Sequence, residues 1–146
     1  MSYILKVYNS DEVIVTFGPV IIQNGLADGE FLKIEGETDT TEEVVGTDGE
    51  VAVSRINDSR ATATILLMQT SEHNDQLSVF ENLCRNAKGM VGAIQPFAIL
   101  DLNGRTKLFG ANSWVQKAPD RSWDRTATTN EWTIRIAHLA RIDGGN

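Results

Sequence analysis

Ser71, His73 and Asp75 come closest in this chain to the residue types of a hydrolytic triad. A nucleophile, a base and a carboxylate must converge in space, and a triad is recognised by that geometry rather than by closeness in sequence. At the start of a helix, positions i, i+2 and i+4 do not share one face. We therefore interpret Ser71 as a helix-capping residue and Asp75 as an acid that suits the positive end of the helix.

The two histidines, His73 and His138, form no recognisable metal-binding pattern. The sequence contains neither HxH nor HExxH, and the single cysteine, Cys84, has no second thiol for a zinc site or an internal disulfide. Cys84 falls on the apolar stripe of a predicted helix, where a small buried hydrophobic residue is commoner than a reactive thiolate. We predict that Cys84 belongs to the core and that both histidines are exposed or hydrogen-bonded.

Four acids, Asp39, Glu42, Glu43 and Asp48, lie close in sequence but lack the spacing of a calcium-binding loop. The adjacent GTDGEV, residues 46–51, has no Lys-Ser/Thr and no strand-to-helix context, so it matches neither phosphate-binding fingerprint. A solvated acidic turn accounts for both features. The sequence therefore predicts no catalytic residue, no metal site and no cofactor, and we do not expect an enzyme.

The negative charge of the chain is concentrated in one segment. The protein has 146 residues and a net charge of −7. Residues 28–50 contain nine acids and one lysine, a net charge of −8, whereas all other residues together carry +1. Readers of duplex DNA draw most of their affinity from Lys and Arg on phosphates, so this balance argues against that class.

The length fits one domain, residues 1–146, with ends expected to be flexible, as at residues 143–146. The N-terminus has no basic region leading into a long apolar run, and no window approaches ~18 uncharged apolar residues. We therefore predict a soluble protein made in the cytosol, with no secretion signal and no membrane anchor.

The local patterns predict a β-rich chain with one helix. Strands are expected over residues 13–18 (with a possible extension over 20–22), 31–37, 50–57, 60–69, 97–102, 107–116 and 130–139. Residues 38–49 are interpreted as a long acidic hairpin tip, and the strands over 50–57 and 60–69 as a hairpin pair. Between them and the last three strands, an amphipathic helix runs from residue 70 or 71 to about 88 and ends at Gly89.

This order of four strands, a helix and three strands predicts the α+β class, as an antiparallel β-sandwich or barrel with one amphipathic helix. Trp114, Trp123 and Trp132 recur every nine residues, and exposed aromatic rings on such a scaffold can stack on sugars. A monomeric carbohydrate-binding module is therefore one alternative. Trp132 alternates with isoleucines and Trp114 ends an apolar strand, which favours a core position for at least these two.

Three passages carry a resemblance to a known family. They are residues 46–53, which open with GTDGEV; residues 61–77, ATATILLMQTSEHNDQL; and residues 117–132, where a polar stretch precedes Asn-Glu-Trp. Together with the early strand and the Pro-Phe strand after the helix, they resemble the tail tube proteins of contractile-tailed bacteriophages. The likeness extends over residues 30–139, and none of its motifs is catalytic.

The resemblance implies a virion protein, assembled in the host cytoplasm, that forms hexameric rings. The sheets of the ring join into a continuous barrel around a lumen, and the rings stack into a tube. Implied partners are further copies of itself, the tail sheath, baseplate and tail-terminator proteins, the tape measure protein, and DNA that passes transiently through the lumen. The tube of a tailocin or secretion system, which delivers protein, is a second alternative.

Two sets of residues are assigned to this assembly. Glu50, Ser54, Thr62 and Thr64 are predicted to face the lumen, where acidic groups repel phosphate within a Debye length of ~8–10 Å. Period-two alternation then places Val51, Val53, Ile65 and Leu67 beneath the helix. The predicted contacts between rings are Asp39, Glu42, Glu43, Val44, Val45 and Asp48 of the acidic tip with Arg121 and Arg125. The tip is expected to be mobile in the free subunit and to become ordered on docking.

Overall fold

The structure, a computed structural model, describes residues 8–9, 12–102 and 104–144. In this part of the chain it contains ten strands, one α-helix and a 3₁₀ turn. The strands before the helix are β1 (Val13–Phe17), β2 (Val20–Ile22), β3 (Leu32–Gly36), β4 (Thr41–Val45), β5 (Val51–Arg55) and β6 (Ala61–Met68). Helix α1 (His73–Asn86) and the 3₁₀ turn (Lys88–Met90) precede β7 (Gln95–Asp101), β8 (Lys107–Lys117), β9 (Thr129–Ile136) and β10 (Ala140–Ile142).

Eight strands form one antiparallel sheet in the order β2-β1-β7-β8-β9-β6-β3, with β10 beside β8. β4 and β5 pair with each other in a separate two-stranded sheet. An isolated bridge between Leu26 and Leu67 brings the segment after β2 next to β6. Among the described strands, β2 and β3 lie at the two ends of the sheet, so the sheet stays open within one subunit.

The core lies on one face of this sheet because its strands alternate with a period of two. In β6 the residues from Ala61 to Leu67 are buried at every second position, and the residues between them are partly exposed. β1 and β9 show the same alternation. The largest fully buried apolar side chains are Val15, Phe17, Ile22, Ile65, Leu67, Leu77, Phe97, Ile134 and Ile136.

Helix α1 packs on this apolar face. Leu77 is fully buried, and the ring of Phe80 meets that of Phe17 edge-on, with centroids 5.2 Å apart and planes at 87°. Gly89 follows the helix with φ of +66°, a backbone conformation that favours glycine. The predicted amphipathic helix and its stop are confirmed, with slightly shorter bounds.

The predicted pairing of residues 50–57 with residues 60–69 is wrong. β5 pairs with β4, and β6 lies between β3 and β9. β4 falls inside the segment that the sequence assigned to a hairpin tip, and β2 and β10 are further separate strands. The observed order is therefore six strands, a helix and four strands. Residues 145–146, at the end of the tail that was expected to be flexible, lie outside the described residues.

The predicted class, β-rich α+β, is confirmed. The described strands do not form a closed barrel, because the end strands β2 and β3 do not pair with each other. At the C-terminal end, Gly144 exchanges hydrogen bonds with Thr106, whose Oγ1 donates to the Gly144 carbonyl at 2.9 Å. The last described residues are thus attached to the start of β8.

A buried asparagine joins the helix to the sheet. The Asn74 amide donates to the carbonyls of Met68 and Ser71, both at 3.0 Å. Its Oδ1 accepts from Trp132 Nε1 at 2.9 Å and from Asn130 Nδ2 at 3.2 Å. All of these groups are paired, so a polar cluster is accommodated in the core without an orphaned donor.

Replacing Asn74 by alanine is expected to lower the free energy of unfolding by about 2–4 kcal/mol, because buried donors on Trp132 and Asn130 lose their acceptor. Urea denaturation measures this change. Asn82→Ala, on the exposed side of the same helix, is the control and should change stability by less than about 0.5 kcal/mol. An equal effect of the two substitutions would contradict the structural role of the cluster.

Candidate assembly surfaces

Ser71, His73 and Asp75 do not form a triad in the structure. The His73 ring bonds two amide side chains, Gln76 Oε1 at 2.8 Å and Asn24 Oδ1 at 3.2 Å. Ser71 Oγ accepts from the backbone N–H of His73 at 3.3 Å, which is the role of a residue at a helix start. The N-cap is Glu72, so the expected cap, Ser71, lies one residue before it, and Asp75 is the acid of the first turn.

The other candidates for chemistry also take structural positions. Cys84 is half-buried on α1, and burial raises the pKa of its thiol, which disfavours the reactive thiolate. His138 Nδ1 lies 3.1 Å from Ser59 Oγ. Within the described residues, no three His, Cys, Asp or Glu side chains come together as a metal site, and no helix is long and apolar enough to span a membrane.

A polar surface lies over β3, β6 and β9, on the side of the sheet opposite the core. We call it the outer face, and it is formed by Lys33, Glu35, Thr62, Thr64, Thr133 and Arg135. The register aligns Glu35, Thr62 and Arg135 in one row across β3, β6 and β9. Thr64 lies in the next row, two residues along β6. Two of the four predicted lumen residues, Thr62 and Thr64, therefore share a continuous polar surface.

The charges of the outer face are paired. Lys33 Nζ lies 2.6 Å from Glu35 Oε1, and this hydrogen bond raises the pKa of Lys33. Arg135 Nη1 lies 2.8 Å from Glu37 Oε1 and also donates to Thr62 Oγ1 at 3.1 Å. The surface thus presents hydroxyls and matched ion pairs rather than an excess of acid.

A second surface is the arm, which we define as β4, β5 and their connecting turn, residues 41–55. Gly46 N donates to Glu50 O at 2.7 Å to close the turn, and Gly49 adopts φ of +86°. Every residue of β4 and β5 is exposed. The arm therefore projects from the body of the subunit, and a two-stranded hairpin of this kind is marginally stable alone.

The two faces of the arm differ in character. Directly opposed residues share a face, so the register places Val45 with Val51 and Glu43 with Val53 on one side. Val45, Val51 and Val53, the valine triad, are each more than half exposed. The other side carries the predicted lumen residues Glu50 and Ser54, with Glu42, Val44 and Ala52.

The expectation that Val51 and Val53 pack beneath the helix is wrong. They are 53% and 66% exposed in the subunit, because β5 belongs to the arm and not to the main sheet. Ile65 and Leu67, assigned to the same layer, are fully buried as predicted. Glu50 and Ser54 are likewise separated from Thr62 and Thr64, since the two pairs lie on different sheets.

Short-range bonds order the two segments that connect the arm to the sheet. Ile56 N donates to Thr40 O at 2.9 Å, and Arg60 pairs with Asp58, their closest atoms 2.9 Å apart. Hydrogen bonds from Arg60 lower the pKa of Asp58 to about 2. The contribution of this pair to stability is therefore complete above pH 3.8 and is lost as pH falls through about 2.

A third surface is the tryptophan loop, residues 118–128, which connects β8 to β9. Trp123 at its middle is 76% exposed, and the Arg121 guanidinium lies over its ring, 5.5 Å from the centroid. Asp120 lies 3.8 Å from Lys117, and Asp124 accepts from the backbone N–H of Arg125. Among the described residues the Arg125 guanidinium has no hydrogen-bonding partner.

The arm and the tryptophan loop leave opposite ends of the sheet. The segments that connect the arm to the sheet leave β3 after Gly36 and enter β6 at Ala61, which pairs with Gly36. The loop enters β9 at Thr129, opposite Met68 at the other end of β6. The eight residues of β6 separate the two ends by roughly 25 Å. Within one subunit the predicted ring-contact acids and Arg121 and Arg125 are therefore not brought together.

Sequence reasoning missed two features of these surfaces. The first is the valine triad: Val45 was assigned to the hairpin tip and Val51 and Val53 to a core strand, because β4 was not recognised as a strand. The exposure of Trp123 was left open. Trp132 is only 3% exposed and belongs to the core, as favoured, but the core position favoured for Trp114 is wrong: it is half-buried and lies opposite Arg135, on the side of the sheet away from the core. The position of Trp123 between two arginines, in a segment that contains Pro119, is the signal that could have identified it as a surface residue.

Comparison with known proteins agrees with this architecture. The family model of the bacteriophage PhiTE tail tube protein matches residues 13–144. Structural protein ORF10 of Pseudomonas phage KPP10 is 29% identical over 122 residues, which cover 84% of this chain and 70% of that protein.

Two solved structures have a similar fold. A chain of the anti-feeding prophage cap, which terminates the tube, has a TM-score of 0.59 at 10% identity, covering 97% of this chain and 95% of that chain. A chain of the sheath-tube complex of PVC, an extracellular contractile injection system, has a TM-score of 0.56 at 13% identity, covering 93% and 91%. At these identities the likeness establishes the fold. The family match, in contrast, extends from β1 to beyond β10, so the chain belongs to the PhiTE-type family of bacteriophage tail tube proteins, which are structural and non-enzymatic.

Proposed function

We propose that this tail tube protein forms hexameric rings that stack into a conduit for DNA inside a contractile sheath. The observation that carries the proposal is the arm, a hairpin with an apolar face that its own subunit leaves uncovered. Such a face is unfavourable in water and calls for a partner. Repeated copies of the same chain provide that partner in a symmetric assembly.

Ring formation is supported by the free edge of β3. Leu66 N donates to Phe31 O, and Glu37 N donates to Arg60 O. In the register of β3 with β6, the backbone groups of the odd-numbered residues of β3 are therefore the ones that point towards β6. The backbone groups of Leu32, Ile34 and Gly36 therefore point away from β6. An edge of this kind pairs readily with another strand, and a strand of the neighbouring copy continues the sheet into a barrel.

The lumen wall is the outer face, with Thr62 and Thr64 towards the channel. Its hydroxyls and matched ion pairs offer a phosphate backbone neither a cluster of bases nor an apolar surface on which to adsorb. Glu50 and Ser54, on one side of the arm, extend this lining where the arm follows the wall. DNA then passes without being retained.

Stacking joins the arm of one ring to the tryptophan loop of the next. The two surfaces lie at opposite ends of the sheet, which suits a head-to-tail contact that repeats along a tube. The contact residues are Asp39, Glu42, Glu43, Val44, Val45 and Asp48 on the arm side and Arg121 and Arg125 on the loop side. Opposite charges favour this docking, and salt should weaken it.

The sheath encloses the stacked tube, and the baseplate, terminator and tape measure proteins meet its ends and lumen. A second candidate function is the tube of a protein-delivering injection system, which the fold shared with the PVC sheath-tube complex favours. The neighbouring genes separate the two functions, because a phage tail is encoded beside capsid and genome-packaging genes.

Light scattering across a concentration series, followed by electron microscopy, tests the proposal. We expect particles far larger than the 16.1 kDa subunit, seen as rings and tubes, with Thr62 and Thr64 facing the channel in the density. A 16.1 kDa species at every concentration, with no tubes, would contradict self-assembly. A channel lined by the valine triad would contradict the assignment of the wall.

A further inference from the structure

Trp123 is a large aromatic side chain that its own subunit leaves in water. It is 76% exposed, more than any other large hydrophobic side chain among the described residues. The Arg121 guanidinium lies over one side of its ring and limits its freedom. Partly immobilised aromatic residues flanked by arginine are the kind of group that dominates protein interfaces, since little conformational entropy is lost on docking.

The valine triad of the arm offers a surface of matching chemistry. Val45, Val51 and Val53 form a contiguous apolar patch, because Val45 opposes Val51 and Val53 is the next residue on that side. Glu43 lies directly across from Val53 at the edge of the patch. Its carboxylate has no hydrogen bond or ion pair among the described residues, and the same holds for the Arg125 guanidinium.

We propose that Trp123 of one copy packs on the valine triad of another copy in the adjacent ring, with Glu43 meeting Arg121 or Arg125 beside it. The inference rests on the proposed stacking and adds the side of the arm and the residue that anchors it. It also narrows the set of arm residues proposed for stacking: the side with Glu43 is covered, and the opposite side, with Glu42 and Val44, is not. The tryptophan loop and the arm cannot meet within one subunit, because they leave opposite ends of the sheet.

The neighbouring acids Glu42 and Glu43 provide a matched pair of probes. In a Cys84→Ala background, Ser122→Cys beside Trp123 is combined with either Glu43→Cys or Glu42→Cys. Both variants lose one exposed acid, and they differ only in the side of the arm that carries the thiol. Assembled tubes are treated with a short bis-maleimide, and linked subunits are counted on a denaturing gel.

We expect a ladder of linked subunits for Glu43→Cys with Ser122→Cys, and at least tenfold less linkage for the Glu42→Cys partner. Adding Trp123→Ala to the first pair should remove the ladder and shorten the tubes, whereas Trp123→Phe should retain part of both. Equal linkage on the two sides, or full-length tubes and an intact ladder without Trp123, would overturn the inference. In that case Trp123 serves a different partner, such as a sheath protein.

The same experiment separates this inference from the function on which it rests. Rings and full-length tubes that form with no linkage between position 43 and position 122 reject the Trp123 contact and leave tube formation intact. A wild-type protein that forms neither rings nor tubes rejects the proposed function, and the contact with it.

Discussion

Gly36→Pro is expected to abolish ring formation while the subunit still folds. The N–H of Gly36 points away from β6 at the free edge of β3, so the subunit loses no internal hydrogen bond when proline removes it. A neighbouring strand loses that donor and also meets the proline ring. Each interface then loses on the order of 1 kcal/mol from the hydrogen bond, with steric exclusion added, and a closed ring repeats the loss at every interface.

Gly36→Ala is the matched control for this substitution. A Cβ at position 36 would meet its nearest neighbour, the Thr38 carbonyl, at 3.9 Å, an ordinary contact, and alanine retains the N–H. Sedimentation velocity and electron microscopy should show subunits for Gly36→Pro and rings for Gly36→Ala, with similar circular dichroism spectra. Rings of normal abundance with proline would mean that β3 is not the edge that joins neighbouring subunits.

The alternation of β6 and β9 could be predicted from the sequence because it reports burial within the same subunit. Ala63, Ile65 and Leu67 alternate with threonine and leucine, and a half-buried strand is the simplest structure that satisfies this pattern. The helix was equally predictable, since its apolar stripe, first-turn acid and terminal glycine agree. Local signals and tertiary burial coincide in these elements.

The arm could not be predicted in the same way. Val51 and Val53 alternate with small and polar residues, as apolar residues do in core strands. The pattern therefore predicted that the two valines pack beneath the helix. Periodicity shows that one side of a strand is apolar, but it does not show which surface covers that side. In β4, Glu42 and Glu43 are adjacent and followed by two valines, which breaks the alternation and concealed a strand that only the hairpin pairing defines.

The hydrogen bonds of Asn74 show a further limit of prediction from the sequence. An asparagine at a helix start is usually interpreted as a capping residue, and nothing local shows that its amide reaches Trp132, 58 positions away in sequence. The four predicted lumen residues lie on two different sheets for a similar reason. Thr62 and Thr64 share the outer face, but Glu50 and Ser54 belong to the arm, because strand order is set by long-range pairing.

Replacing residues 41–55 by a Gly-Ser-Gly link is expected to eliminate tubes while leaving folded subunits and rings. Every residue of β4 and β5 is exposed, so excision removes no core side chain and should change the free energy of unfolding by less than about 1 kcal/mol. Thr40 and Ile56, which the link joins, are already adjacent through a hydrogen bond of 2.9 Å. Tube length by microscopy, with circular dichroism for folding, measures the outcome.

A variant that changes only charge, Glu42→Gln with Glu43→Gln, separates the contribution of the arm's acids to ring stacking from that of its valines. It retains the hairpin and the valine triad, so tubes should still form, but their stability should depend less on salt because Glu43 no longer meets an arginine of the next ring. The excision variant loses the apolar contact as well and should not stack at any salt concentration. Full-length tubes from the folded excision variant would show that rings stack through the body of the subunit and not through the arm.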